Sequence, residues 1–387
     1  MTNRLIYLDN AATTFPKPPE VLREMVETYA RIGASPGRGN HDLAAQAGAF
    51  VDGARARVAR FFGAPDPTRV IFAANASDAL NTVIQGLVRP GDHVVATRLD
   101  HNSVLRPLHH LAEQGTITFD LAPFDARGFV DPDAIAALLR PNTRAVVMCH
   151  ASNVLGTLQP VAEIARRCAE RGVPLVVDAA QSAGQVPIDM AALGIAALAF
   201  TGHKALYGPS GIGGLVLMPG LEVETTRFGG TGMDSASLVH SQAYPLRLEV
   251  GTLNLMGVIG LALGIDFVAG LGLATLHDQE MGLLARLRDG LAAIPAVTLY
   301  CANDLAGHLP VLTANVAGVH PQDVGAILDG DFGIAVRVGV HCAPLVHRDL
   351  GTIERGAVRF SLGAFNTTDD IDRAIEAMRA IPHPGRP

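Results

Sequence analysis

Short runs of apolar, largely β-branched residues recur through the first two thirds of the chain, each followed by a stretch with apolar positions at helical spacing. Bounded by glycine, proline and polar clusters, the runs at 70–73, 93–97, 116–121, 145–149, 174–178, 196–201 and 214–218 predict strands. The stretches at 43–61, 78–87, 103–114, 132–139 and 161–171 predict helices. Such alternation puts the strands in a mainly parallel sheet covered on both faces. No full helix separates the last two strands, which predicts one antiparallel strand at the sheet's edge. The apolar stretch 257–272 is broken by glycines and carries Asp266, so it reads as a buried helix rather than a membrane span. From about residue 270 a second pattern predicts a helix at 273–294, strands at 297–301 and 311–316, and helices at 321–328 and 369–381. The expected organisation is an N-terminal segment (1–20) packing with a small domain, a large domain (21–269), and a smaller α/β domain (270–387).

Composition narrows the function classes. The chain has 387 residues, more than one hydrophobic core usually holds. It is 49% hydrophobic and 17% charged, which argues against disorder. A net charge of −7 without a basic stripe, no tryptophan and 5% aromatics argue against a nucleic-acid surface. The N-terminus lacks the long apolar core of a signal peptide, and the four cysteines show neither paired spacing nor CxxC. A reducing cytoplasm is the expected location, and no metal site is indicated.

Two lysines stand against 28 arginines, and one of them, Lys204, follows the run 195–201 and precedes the glycine-rich stretch 207–214. An amine at a strand end can form a Schiff base with an aldehyde cofactor; a surface loop lysine is the plain alternative. In open parallel sheets ligands bind beyond the carboxyl ends of the strands, which selects further candidates. Ser77, after the first predicted strand, can cap a helix whose free N–H groups suit phosphate. His101 can stack on a flat ring or shuttle protons, or be a loop histidine. Asn153 can bond a ring substituent or serve a turn. Asp178 ends an apolar strand and needs a cation or donors; a protonated pyridine nitrogen would supply one, and an Asp partner is the usual arrangement for pyridoxal phosphate (PLP). Gln181 can reach the ring oxygen. Further on, Cys342 lies between small residues beside His341, as a reactive thiol or an inert one. Arg359 can clamp a carboxylate or form a structural ion pair.

In their order these segments resemble the class V aminotransferase family of PLP enzymes, most closely its cysteine desulfurase and selenocysteine lyase branch. The residues that carry the resemblance are Tyr7–Ala12, Gly37–His41, Asp100–Asn102, Ser152–Thr157, Asp178–Gln181, Thr201–Lys204, Glu249–Asn254, Arg337–Pro344 and Arg359–Thr367. Thr-Gly-His-Lys204 and Arg-x-Gly-x-His-Cys342-Ala-Pro are the most specific parts, the latter similar to desulfurases with a short loop around the nucleophile. The resemblance implies PLP fold type I, an α/β fold with a mainly parallel seven-stranded sheet and a smaller C-terminal domain. It implies that Lys204 carries the cofactor, His101 stacks on the ring, Asp178 pairs with the ring nitrogen and Gln181 with the phenolic oxygen. It places Ser77, Ala76, Thr201 and His203 at the phosphate, with Thr252 from a partner subunit. Asn153 and Arg359 would hold the substrate carboxylate, Cys342 would carry a persulfide, and Arg38 would reach across a homodimer. Ala76 stands where relatives often have a second hydroxyl, and Leu253 replaces a frequent proline. The implied reaction converts L-cysteine to L-alanine and passes sulfur to an acceptor protein or thiol. L-selenocysteine would use the same residues. Transamination or racemisation would leave Cys342 dispensable, and a PLP-binding sensor or scaffold would convert no amino acid.

Overall fold

The computed structural model describes residues 5–36, 39–232 and 236–381. The chain opens with β1 (Ile6–Tyr7), α1 (Pro19–Ile32) and α2 (Asp42–Phe61). Strands and helices then alternate: β2 (Val70–Ala73), α3 (Ala76–Leu87), β3 (Asp92–Thr97), α4 (Asn102–Glu113), β4 (Ile117–Ala122), α5 (Pro132–Leu138), β5 (Thr143–Cys149), α6 (Val161–Ala169), β6 (Leu175–Asp178), α7 (Met190–Leu193), β7 (Ala197–Thr201) and β8 (Gly213–Leu217). The remainder comprises α8 (Leu255–Leu271), α9 (Leu273–Ala292), β9 (Val297–Leu299), β10 (Val311–Val316), α10 (Pro321–Phe332), β11 (Ile334–Ala335), β12 (Arg337–Gly339), α11 (Pro344–Asp349), β13 (Ala357–Ser361) and α12 (Thr368–Ala380).

A seven-stranded sheet in the order β2-β8-β7-β6-β5-β3-β4 forms the large unit. Alternation along its strands divides them between two cores. Val95, Val146, Met148, Val177 and Leu198 face one side; Val94, Ala96, Val147, Val176 and Ala199 face the other. Burial on both faces is why β6 and β7, in the middle of the sheet, are apolar up to their ends at Asp178 and Thr201. The antiparallel strand is β8, and it lies inside the sheet between β7 and β2, with β2 taking the edge. This corrects the expected edge placement. Only residues 202–212 link β7 to β8, so the chain folds straight back with Thr201 opposite Gly213. Lys204 sits on that return.

A four-stranded antiparallel sheet, β12-β13-β10-β9, and the helices α9, α10 and α12 surround a further core. Ile6 and Leu8 are buried in this core, and β1 pairs with β11. Helix α1 was not expected: it follows a proline-rich start and buries only Val21, Met25 and Ile32. Among the described residues no single helix is long and apolar enough to cross a membrane.

Candidate active site

One cavity of about 260 Å³ opens beyond the carboxyl ends of the central strands. It brings together Ala76, Ser77, His101, Asn153, Asp178, Gln181, Thr201, His203 and Lys204. Lys204 and Asp178 are supplied by adjacent strand ends. Burial pulls the Lys204 amine down to about 8, with Asp178 opposing the fall. Burial likewise raises the Asp178 carboxyl, which accepts from Ala180 N–H at 2.9 Å. Each group thus makes the other's charge less costly.

At one end of the cavity lies the first turn of α3. Its cap is Asn75, whose side chain accepts from Asp78 N–H, so the expected capping by Ser77 is corrected. Ser77 lies inside the first turn, where its hydroxyl is 2.5 Å from that of Ser103. A helix's first N–H groups have no partner within the helix and favour an anion. Thr201, at the end of β7, adds a buried hydroxyl with no hydrogen-bond partner. A phosphate would satisfy it. His203 completes this end; burial, then the Lys204 charge, hold its imidazole at about 4.

His101 caps α4 and is held by its neighbour: Nδ1 accepts from Ser103 N–H at 3.0 Å, with Ser103 Oγ at 2.8 Å. Burial holds it at about 4, so it is neutral and suited to lie against a flat ring. The preceding Asp100, fully buried, accepts from Thr97 N–H and Oγ1 and from Cys149 N–H, and burial pushes it up to about 7. It ties the turn before His101 to the end of β5. Gln181 donates to Ala11 O at 3.1 Å, which fixes its amide at the cavity wall.

Cys342 and Arg359 reach this site through Asn153. The Asn153 amide donates to His341 O at 2.7 Å, and Arg359 donates to Asn153 O at 2.9 Å and to Asp9 at 2.8 Å. Arg359 is buried, and its Nε has no partner. Cys342 is exposed; Cys149 and Cys168 are buried, and burial raises both thiols. Two further ties fasten the Cys342 segment to the large unit. Asn102 N–H donates to Cys342 O at 2.8 Å, and Arg98 forks onto Asp349 at 2.6 and 2.5 Å.

Thr252 is not brought to this cavity. It is exposed and lines a separate one of about 240 Å³ with Asp78 and Arg227, because its segment is stapled outside β2 by the buried Arg55–Glu249 pair. Arg38 lies outside the described residues. Sequence reasoning missed Ser103 and Lys17. Lys17 donates to His203 O and to Thr14 Oγ1, both at 2.6 Å, while Thr13 and Thr14 bond the same carbonyl and that of Lys204. As the only other lysine, Lys17 carried a signal in the composition; Ser103 carried only its place two residues after His101.

The arrangement offers an anion site, a nucleophilic amine, a carboxylate aimed at a cation and a nearby thiol. The aminotransferase class-V family model matches residues 6–374. A probable cysteine desulfurase of Methanothermobacter thermautotrophicus is 35% identical over 382 residues, covering 97% of this chain and 94% of the relative. A cysteine desulfurase of Enterobacter sp. is 34% identical over 390 residues, covering 98% and 94%. The apo structure of the cysteine desulfurase from Thermococcus onnurineus NA1 is similar with a TM-score of 0.91 at 35% identity, covering 97% of this chain and 94% of that one.

Proposed function

The chain belongs to the aminotransferase class-V family, and from that premise we propose that it is a cysteine desulfurase acting on L-cysteine. The observation that carries the reading is the juxtaposition of the Lys204–Asp178 cavity with the exposed Cys342, joined through Asn153. The group these residues fit is pyridoxal 5′-phosphate, which supplies an electron sink when a bond to the amino-acid α-carbon breaks. Ser77, Thr201, His203 and the α3 N-terminus would hold its phosphate, beside Ala76. His101 would stack on its ring, Gln181 would serve its phenolic oxygen, and Asp178 would pair with its nitrogen.

The remaining roles belong to the chain. Lys204 Nζ would hold the cofactor's aldehyde and serve as the base for the substrate's α-proton; an amine near 8 is partly neutral at working pH. Asn153 and the unpaired Nε of Arg359 receive the substrate carboxylate. Cys342 Sγ, as thiolate, attacks the substrate sulfur. The new S–S bond forms as the substrate C–S bond breaks, and that bond's electron pair stays with the carbon skeleton, which takes up a proton at Cβ and regains one at Cα from Lys204 to become alanine. The persulfide sulfur then passes to an acceptor protein or thiol. A homodimer in the cytoplasm completes the reading, with Thr252 and Arg38 serving the partner's site.

The test is alanine release from L-cysteine by the PLP-loaded protein, parent against Cys342→Ala. Alanine from the parent alone supports desulfuration with Cys342 as nucleophile. Equal alanine from both would point to another reaction on the same cofactor. None from either would send the search to selenocysteine.

A further inference from the structure

Cys342 occupies a tight turn that its own sequence does not favour. Ala343 N–H bonds Val340 O at 3.0 Å, and the two central residues, His341 and Cys342, have φ of 50° and 57°. Two consecutive left-handed residues usually require Asn-Gly, because a Cβ crowds the backbone there. Something outside the turn must hold this one.

A buried polar chain does so. His341 Nδ1 is 3.1 Å from His347 Nε2, and His347 Nδ1 is 2.8 Å from Thr352 Oγ1. Thr352 Oγ1 also lies 3.3 Å from His347 O, and His341 Nε2 lies 3.5 Å from Arg337 O, so both ring nitrogens of each histidine have a partner in the chain Arg337–His341–His347–Thr352 or beside it. His341, His347 and Thr352 are each less than a tenth exposed. Neither His347 nor Thr352 lines the cavity. Gly351, with φ of 69°, turns the chain from α11 so that Thr352 N–H bonds His347 O at 2.7 Å and the relay closes on itself.

We infer that His347 and Thr352 are positioning residues for the nucleophile: by holding His341 they keep the Val340–Ala343 turn in its left-handed form and Cys342 aimed at the cavity. The inference rests on Cys342 being the sulfur carrier.

The test compares the PLP-loaded parent with His347→Leu, Thr352→Val and the double variant His347→Leu/His341→Gly. Alanine formation and amide exchange at Ala343 are both read. His347→Leu is expected to lower kcat about tenfold or more, with a smaller change in KM. Ala343 is expected to exchange faster in that variant. The double variant is expected to recover most of the loss, since glycine takes the left-handed backbone unaided. Should His347→Leu not bind cofactor, Thr352→Val, which deletes one hydroxyl, takes its place with the same expected directions. An unchanged kcat and unchanged Ala343 exchange would overturn the inference, as would a loss that glycine does not restore. A parent that releases no alanine would sink the desulfurase reading instead, and Ala343 exchange would still decide the relay.

Discussion

Thr201 Oγ1 is buried without a partner at the end of β7, facing the cavity. An unsatisfied hydroxyl weakens the apo-protein, yet it is worth about 1.5–3 kcal/mol when it meets a charged acceptor. Thr201→Val should therefore act in opposite directions on two measurements. The apo-protein should melt at the same temperature or slightly higher, while PLP affinity in a titration should fall about 10- to 100-fold. An equal loss in both would show that the hydroxyl has a structural role. At this scale the sequence was legible where chemistry demanded a rare residue in an odd place, as with Lys204, or a charge at an apolar strand end, as with Asp178. It was less legible where neighbours share a job. Asn75 and Ser77 are both plausible caps, and only the backbone decides that Asn75 takes the role. Lys17 and Ser103 act on His203 O and His101 from elsewhere in the fold, which spacing alone does not reveal.

Helix α8 is apolar around its circumference because it is buried on nearly every side. Gly264 lets it approach the turn that follows Lys204: a Cβ there would stand 2.1 Å from Leu206 O. Gly264→Ala should push the turn at 206–208, lowering stability by about 1–3 kcal/mol or more and loosening Lys204. Thermal melting and the absorbance of bound PLP would both fall; a variant that melts and loads like the parent would contradict this packing. A second staple is the Arg55–Glu249 pair, with bonds of 2.7 and 2.6 Å, whose carboxylate also accepts from Phe72 N–H. Arg55→Met leaves a buried carboxylate without its partner and should cost about 3–5 kcal/mol in denaturant unfolding. The elements themselves were largely readable, since alternation along the strands follows from two-sided burial. The place of β8 was not, because hairpin-like return tells direction but not which side of the sheet receives the next strand.

Across the whole molecule, the N-terminal segment joins the parts. Ile6 and Leu8 enter the second core, Asp9 pairs with Arg359, and residues 13–17 clasp the carbonyls of His203 and Lys204. Helix α9 brings Glu280, fully buried, against the Gln185 side chain. Burial pushes this carboxyl up to about 8 from 4.5. A raised folded value means the neutral form stabilises the fold at low pH, and that contribution fades as pH climbs from 4.5 to 8. Glu280→Gln stays neutral throughout. It should match the parent near pH 5 and melt higher at pH 8, by roughly 1 °C for each kcal/mol regained. Melting curves that stay parallel across that range would contradict a neutral Glu280. Helical spacing does put Glu280 on the apolar face, four residues from both Leu276 and Leu284, but only the fold shows that its carboxyl is fully enclosed there.

In the proposed reaction sulfur leaves L-cysteine by way of Cys342. The most direct measurement of that route is the mass of each cysteine-bearing peptide after the PLP-loaded protein meets L-cysteine and its thiols are alkylated. One added sulfur is expected on the peptide bearing Cys342 and none on those bearing Cys149, Cys168 or Cys301. Alanine formed while Cys342 stays unmodified, or sulfur found on another cysteine, would contradict that route.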